Sequence, residues 1–93
     1  MTRTVYLNGE YFLENEAKIS IFDRGFLMAD AVYEVTSVLD GKLIDFKGHA
    51  DRLNRSLDEL DMKNPIPYEE LLAIHRELVR LNDIDEGLVY LQI

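Results

Sequence analysis

The chain has no cysteine and no tryptophan, only two prolines and five glycines in 93 residues, and ten basic side chains against eighteen acidic ones. Without cysteine there is no disulfide, no thiolate metal site and no redox chemistry on sulfur, which suits an intracellular setting. Scarce glycine and proline beside 47% hydrophobic residues exclude collagen-like and low-complexity chains, so the composition is that of a folding domain. A formal charge of −8 argues against a nucleic-acid or anionic-membrane binder, since both need a basic surface. No apolar run approaches the roughly 20 residues of a membrane helix. The opening MTRTVYLNGEYF lacks the apolar stretch and small-residue cleavage pattern of a signal peptide. Together these absences predict a cytoplasmic protein whose partners are small molecules or other proteins.

What is present reads as strands followed by helices. Asn8-Gly9 stands between two runs of β-formers in TVYLNGEYFL, the dipeptide that a tight hairpin favours because both turn positions need positive φ. EAKISIF alternates apolar and polar residues and predicts a further strand, broken by a turn at Asp23, Arg24 and Gly25. A second hairpin is written in AVYEVTSVL, Asp40-Gly41 and KLIDF. Along its first strand the period of two separates Ala31, Tyr33, Val35 and Ser37 from Val32, Glu34, Thr36 and Val38. From about Lys47 the period becomes helical, with Phe46, Leu53, Leu57 and Leu60 on one stripe and an end near DMKNP. A second helix is expected from about Pro67, burying Leu71, Leu72, His75, Leu78 and Val79, before the strand LVYLQI. The order ββββ, αα, β predicts an α+β domain with an antiparallel β-sheet and two helices. Residues 1–93 read as a single small domain, and the apolar run reaching the last residue has the pattern of a chain that stops inside a strand.

Within HADRLNRSL, Arg55 has Asp51, Asp58 and Glu59 at helical spacings, whereas Arg52 has no acid three or four residues away. Arg52 lies instead on the flank of the apolar stripe that carries His49 and Ser56. Its planar fork suits an anion brought from elsewhere, and two sources stay open: a sheet carboxylate such as Asp30, Glu34 or Asp45, or a ligand. Tyr33 can present a phenol to a ligand or serve as ordinary strand packing. Glu34, on the opposite face, reads first as an arginine partner and second as a general acid or base. His75, within an apolar stripe, reads as a core histidine, and His49 has no second histidine at metal spacing. No nucleophile elbow, Walker loop or dinucleotide fingerprint is present. The residues taken singly stop at a soluble α+β domain.

The series as a whole goes further. YLNGEYFLENEAKISIFDRGFLMADAVYEV followed by HADRLNRSL closely resembles the N-terminal small domain of the class IV, or fold-type IV, pyridoxal-phosphate enzymes. That family includes D-amino acid aminotransferases, branched-chain aminotransferases and aminodeoxychorismate lyase. The strand AVYEVTSVLDGKLIDF looks most like the D-amino acid enzymes, although Ala31 stands where the family pattern commonly has Gly.

By this resemblance Arg52 matches the arginine that binds the cofactor phosphate, Tyr33 the tyrosine that helps hold the substrate carboxylate, and Val35 a pocket-wall position. The resemblance implies a pyridoxal 5'-phosphate-dependent transaminase passing an amino group from a D-amino acid, such as D-alanine, to a 2-oxo acid, working as a homodimer. It also implies that the catalytic lysine belongs to a large domain outside these residues, because none of Lys18, Lys42, Lys47 and Lys63 stands in a matching context. These 93 residues would then be inactive alone, with no catalytic residue and no metal site of their own. Two alternatives stand beside it: a branched-chain or R-selective amine transaminase or a lyase of the same fold, and a non-catalytic binding or oligomerisation module.

Overall fold

In the computed structural model, which describes residues 2–93, the chain opens with the expected hairpin. Strands β1 (Thr4–Leu7) and β2 (Glu10–Leu13) pair antiparallel, and Asn8 and Gly9 take φ of 49° and 97° at the turn. The second hairpin, β3 (Tyr33–Leu39) with β4 (Lys42–Leu43), turns likewise on Asp40 and Gly41 at φ 54° and 71°. Both dipeptides have the positive φ pair of a type I′ turn, whose twist matches that of the strands it joins.

Two features between the hairpins depart from the sequence expectation. Residues 17–22 form no strand, and Ile19 and Ile21 both remain more than half exposed. Alternation makes a strand only where a neighbouring strand satisfies the backbone, and here Ser20 instead organises a turn, its hydroxyl accepting from the Phe22 N–H and its carbonyl from the Asp23 N–H. The DRG turn is also more than a turn. Asp23 caps a short helix α1 (Arg24–Met28) by accepting from the Phe26 N–H at 3.2 Å, and Ala29 closes it in the left-handed region. Gly25 is needed there for closeness: an added methyl would lie 3.1 Å from both the Ala31 Cβ and the Gln92 side chain.

Helices α2 (Phe46–Glu59) and α3 (Tyr68–Leu81) follow, then strand β5 (Glu86–Gln92). The strands make two sheets rather than one: β1-β2 alone, and β4-β3-β5, in which β3 and β5 pair antiparallel over seven residues from Tyr33 opposite Gln92 to Leu39 opposite Glu86. Val32 and Ile93 extend that pairing by exchanging both backbone hydrogen bonds at 2.9 Å.

The helices cover one face of the three-stranded sheet. One buried cluster joins Val32 to Phe46, Ala50, Leu53 and Leu57 of α2 and Leu71 of α3; a smaller one joins Val38, Val79 and Val89. The expected stripe of α2 holds except at Leu60, which is 45% exposed because the helix has ended one residue before it. On α3, Leu71, His75 and Val79 are buried, Leu72 and Leu78 are partly buried, and Ile74 joins them although it was not among the residues expected inside. Ile74 lies one helical position from His75, within a buried arc wider than the minimal stripe.

The β1-β2 hairpin is tied to this body by Asn82, the C-cap of α3. Its side-chain oxygen accepts from the Thr4 N–H at 2.7 Å, while its NH2 donates to the carbonyls of Thr4 and Leu78. Asn82→Ala is therefore expected to destabilise the fold by about 1–3 kcal/mol, the cost of leaving such groups without partners. Hydrogen exchange should show protection lost first in Thr4–Leu13 and only later in β3 and β5.

Candidate functional site

Alternation along β3 places Glu34, Thr36 and Val38 under the helices and Tyr33, Ser37 and Leu39 on the open face. A carboxylate under a sheet needs a counter-charge, and α2 supplies it. Arg52 donates from Nε to Glu34 Oε2 and from Nη2 to Oε1, both at 2.7 Å, while His49 Nδ1 lies 2.7 Å from Oε1. Glu34 is 4% exposed, and no buried side-chain nitrogen or oxygen among the described residues lacks a partner. The Arg52 fork beside it holds the Glu34 carboxyl below the ordinary carboxylate range against the opposing effect of burial, with His49 adding to the hold. Of the two anion sources left open for Arg52, a sheet carboxylate is thus present.

That pairing does not exhaust the arginine. A guanidinium has five N–H donors; two are engaged by Glu34, leaving three, and the side chain is 58% exposed. Arg52 also lines a cavity of about 460 Å³, together with Tyr33, Glu34, Val35 and Ser56. The position of the cavity follows from the sheet. Because β4 pairs only with Val38 and Leu39, β3, which β5 pairs along its other side, has no neighbouring strand on the β4 side beside Tyr33 to Thr36. The cavity opens at this bare edge and takes lining residues from both faces of β3.

Tyr33 is 62% exposed, its ring stacked on Tyr90 of β5 at a centroid distance of 5.7 Å. Val35, two residues along, is half-buried on the same face. The three residues singled out for a ligand, Arg52, Tyr33 and Val35, therefore line one cavity. Ser56 and Glu34 line it as well: the sequence offers Glu34 only as an arginine partner or an acid–base group, and Ser56 only as a neighbour of His49 and Arg52 on the helix flank. The rest of that helix separates cleanly: Asp51 pairs with Lys47 at 3.0 Å, and Arg55 is exposed with no ion pair among the described residues. His75 is a core histidine, as expected. Its Nδ1 donates to the Leu71 carbonyl at 2.9 Å, its ring meets the Phe46 edge, and burial pushes its pKa down. The Ala31 methyl lies against Gly25 of α1, and Ala31 is not among the residues lining this cavity. No cluster of three metal-binding side chains exists among the described residues.

A family model described as amino-transferase class IV matches residues 31–93. The chain belongs to the class IV aminotransferases. It is 40% identical over 88 residues to a D-alanine aminotransferase of Staphylococcus haemolyticus and 38% identical over 89 residues to one of Listeria monocytogenes. These matches cover 95% and 96% of this chain and 31% of each relative. A branched-chain aminotransferase from the archaeon Thermoproteus uzoniensis, crystallised with norvaline, shares the fold with a TM-score of 0.82 at 26% identity, over 99% of this chain and 32% of that one. The class IV chain thus spans about a third of the length of the curated relatives it matches.

Class IV aminotransferases work with pyridoxal 5'-phosphate, and the chemistry of the residues lining the cavity is compatible with a phosphate group. The cavity offers a charged fork with unused donors and a serine hydroxyl lining the same space.

Acid should unfold this domain in two stages. The unfolded chain protonates His75 at its ordinary value of 6.5 while the buried ring resists, so that contribution is lost as pH falls below 6.5. Glu34 contributes stability above its ordinary value of 4.5, lost as pH falls through its depressed folded value. Thermal midpoints measured from pH 7 to 3 should fall through both ranges, and Glu34→Gln should blunt the second fall.

Proposed function

We propose that this chain forms the small-domain wall of the cofactor and substrate pocket of a pyridoxal 5'-phosphate transaminase that moves the amino group of a D-amino acid, such as D-alanine, to a 2-oxo acid. The observation that carries the reading is the cavity at the bare edge of β3, where Arg52 keeps three donors free beside Tyr33 and Val35. The D-alanine aminotransferases at about 40% identity support the substrate class.

The bound cofactor would supply an electron-withdrawing ring that stores charge when the substrate loses its α-proton. The residues of this chain bind and orient. Arg52 meets the phosphate with charge-assisted hydrogen bonds. The Tyr33 phenol donates to the substrate carboxylate, its ring held by stacking on Tyr90. Val35 gives the substrate side chain an apolar surface and excludes water. No lysine lines the cavity, and in this reading proton transfer falls to the part of the relatives' length that this chain does not cover.

The stretch from Ile19 to Met28 exposes Ile21, Phe22, Phe26 and Met28, each more than two-thirds open to solvent. An apolar surface of that kind supports burial against a large domain or a second subunit in a homodimer. The acidic, cysteine-free composition is suited to the cytoplasm. A branched-chain substrate is the second reading, favoured by the structural likeness to the archaeal branched-chain enzyme.

A protein of the relatives' length carrying this chain should show the absorbance band of bound cofactor near the visible edge, and a protein without that band would end the proposal. It should consume D-alanine with 2-oxoglutarate faster than L-leucine; the reverse order selects the second reading. Arg52→Ala should weaken cofactor retention by up to about 3 kcal/mol, as expected for lost hydrogen bonds to a charged group. Arg55→Ala should leave retention unchanged.

A further inference from the structure

The phosphate reading leaves Glu34 and His49 without a task. Buried carboxylates are ordinarily avoided, and one beside a phosphate site also repels the ligand it adjoins. Glu34 is nevertheless enclosed and fully engaged: Oε2 accepts from Arg52 Nε, and Oε1 accepts from Arg52 Nη2 and lies within hydrogen-bond distance of His49 Nδ1. It stands on β3, a strand held along its length by β5, whereas Arg52 stands on a helix with no acid three or four residues away.

We propose that Glu34, braced by His49, is a positioning residue that fixes the Arg52 guanidinium so that its remaining donors face a phosphate group in the cavity at the β3 edge. The proposal rests on the phosphate reading of Arg52. A free arginine side chain has many rotamers and must surrender them to bind. Here the Nε and Nη2 edge is already docked in a two-bond fork, which sets both the plane and the direction of the guanidinium before any ligand arrives. The contact from His49 ties Oε1 to a second side chain, so the carboxylate's setting about its terminal torsion does not rest on the arginine fork alone. The side-chain exposures follow the same order, 4% for Glu34, 23% for His49 and 58% for Arg52, from anchor to brace to working end.

The test is a double-mutant cycle in the holoenzyme of the relatives' length, with apoprotein titrated by pyridoxal 5'-phosphate and, separately, by pyridoxal, which lacks the phosphate. Glu34→Gln should weaken pyridoxal 5'-phosphate binding about tenfold, the scale expected when one preorganising contact is lost, and leave pyridoxal within about twofold. In an Arg52→Ala background, Glu34→Gln should cause no further loss, since the residue favours the ligand only through the arginine. Equal weakening of both ligands, or losses that add in the double variant, would overturn the proposal in favour of a purely structural ion pair. Should Glu34→Gln fail to fold, His49→Ala, at a partly exposed position, decides between the two: a smaller phosphate-specific loss is expected, and no loss overturns the proposal. If Arg52→Ala itself leaves pyridoxal 5'-phosphate binding unchanged, the phosphate reading falls and the role of Glu34 falls with it. A normal Arg52→Ala loss with a silent Glu34→Gln removes the role of Glu34 alone.

Discussion

The pleat of β3 forces every second side chain under the helices, and at one of those places stands a glutamate. An ionised carboxylate cannot stay in that position without a counter-charge, so α2 must present a cation where Glu34 emerges, and Arg52 does so with a two-bond fork. The requirement sets the rotation of α2 about its axis. With Arg52 turned to the edge of β3, Leu53 and Leu57 point into the core and are essentially sealed there, at 0% and 1% exposure, and Arg55 faces water. The apolar stripe and the ion pair demand the same orientation of the helix, an agreement between levels of organisation that characterises a sequence specifying one structure.

The same strand supplies the candidate site, through its incomplete pairing. Had β4 continued beyond Lys42 and Leu43, a neighbouring strand would have closed the edge beside Tyr33 to Thr36 and separated Tyr33 and Val35 from Arg52. The chain instead leaves the sheet after Leu43 and starts α2 at Phe46, with Asp45 in the left-handed region at the junction. A short return strand and an immediate helix thus bring groups from both faces of β3 and from α2 around one opening. Such an arrangement suits a ligand with an anionic end and a reactive body, since charge is concentrated at one side and aromatic and aliphatic surface at the other.

Much of this is legible in the sequence, for physical reasons. The two type I′ turns are readable because Asn-Gly and Asp-Gly relieve a local steric demand that few other pairs satisfy. The inward and outward faces of β3 are readable because a strand alternates strictly, and Arg52 and Arg55 part because a helix places residues three apart about 60° from one another. Arg52, Tyr33 and Val35 carry a resemblance to a family whose members also match by comparison over most of the chain. The failures share a cause too. Residues 17–22 alternate as a strand does, and Leu60 extends the stripe of α2, yet neither is buried, because the first has no pairing partner and the second falls just past the end of its helix. Periodicity describes which side a residue would face if an element formed around it; it does not supply the neighbour.

By itself, then, the sequence determined the turns, the faces of β3, the two long helices and the kind of residue available for an anion, since each depends on interactions within a few positions of the chain. The tertiary structure alone decided that the strands separate into two sheets and that Asn82 ties the first of them to α3. It also decided that Arg52 reaches Glu34 eighteen residues away in sequence rather than Asp30 or Asp45. Those outcomes depend on which surfaces meet when the helices close over β3, and no local spacing encodes the distance between groups on different elements.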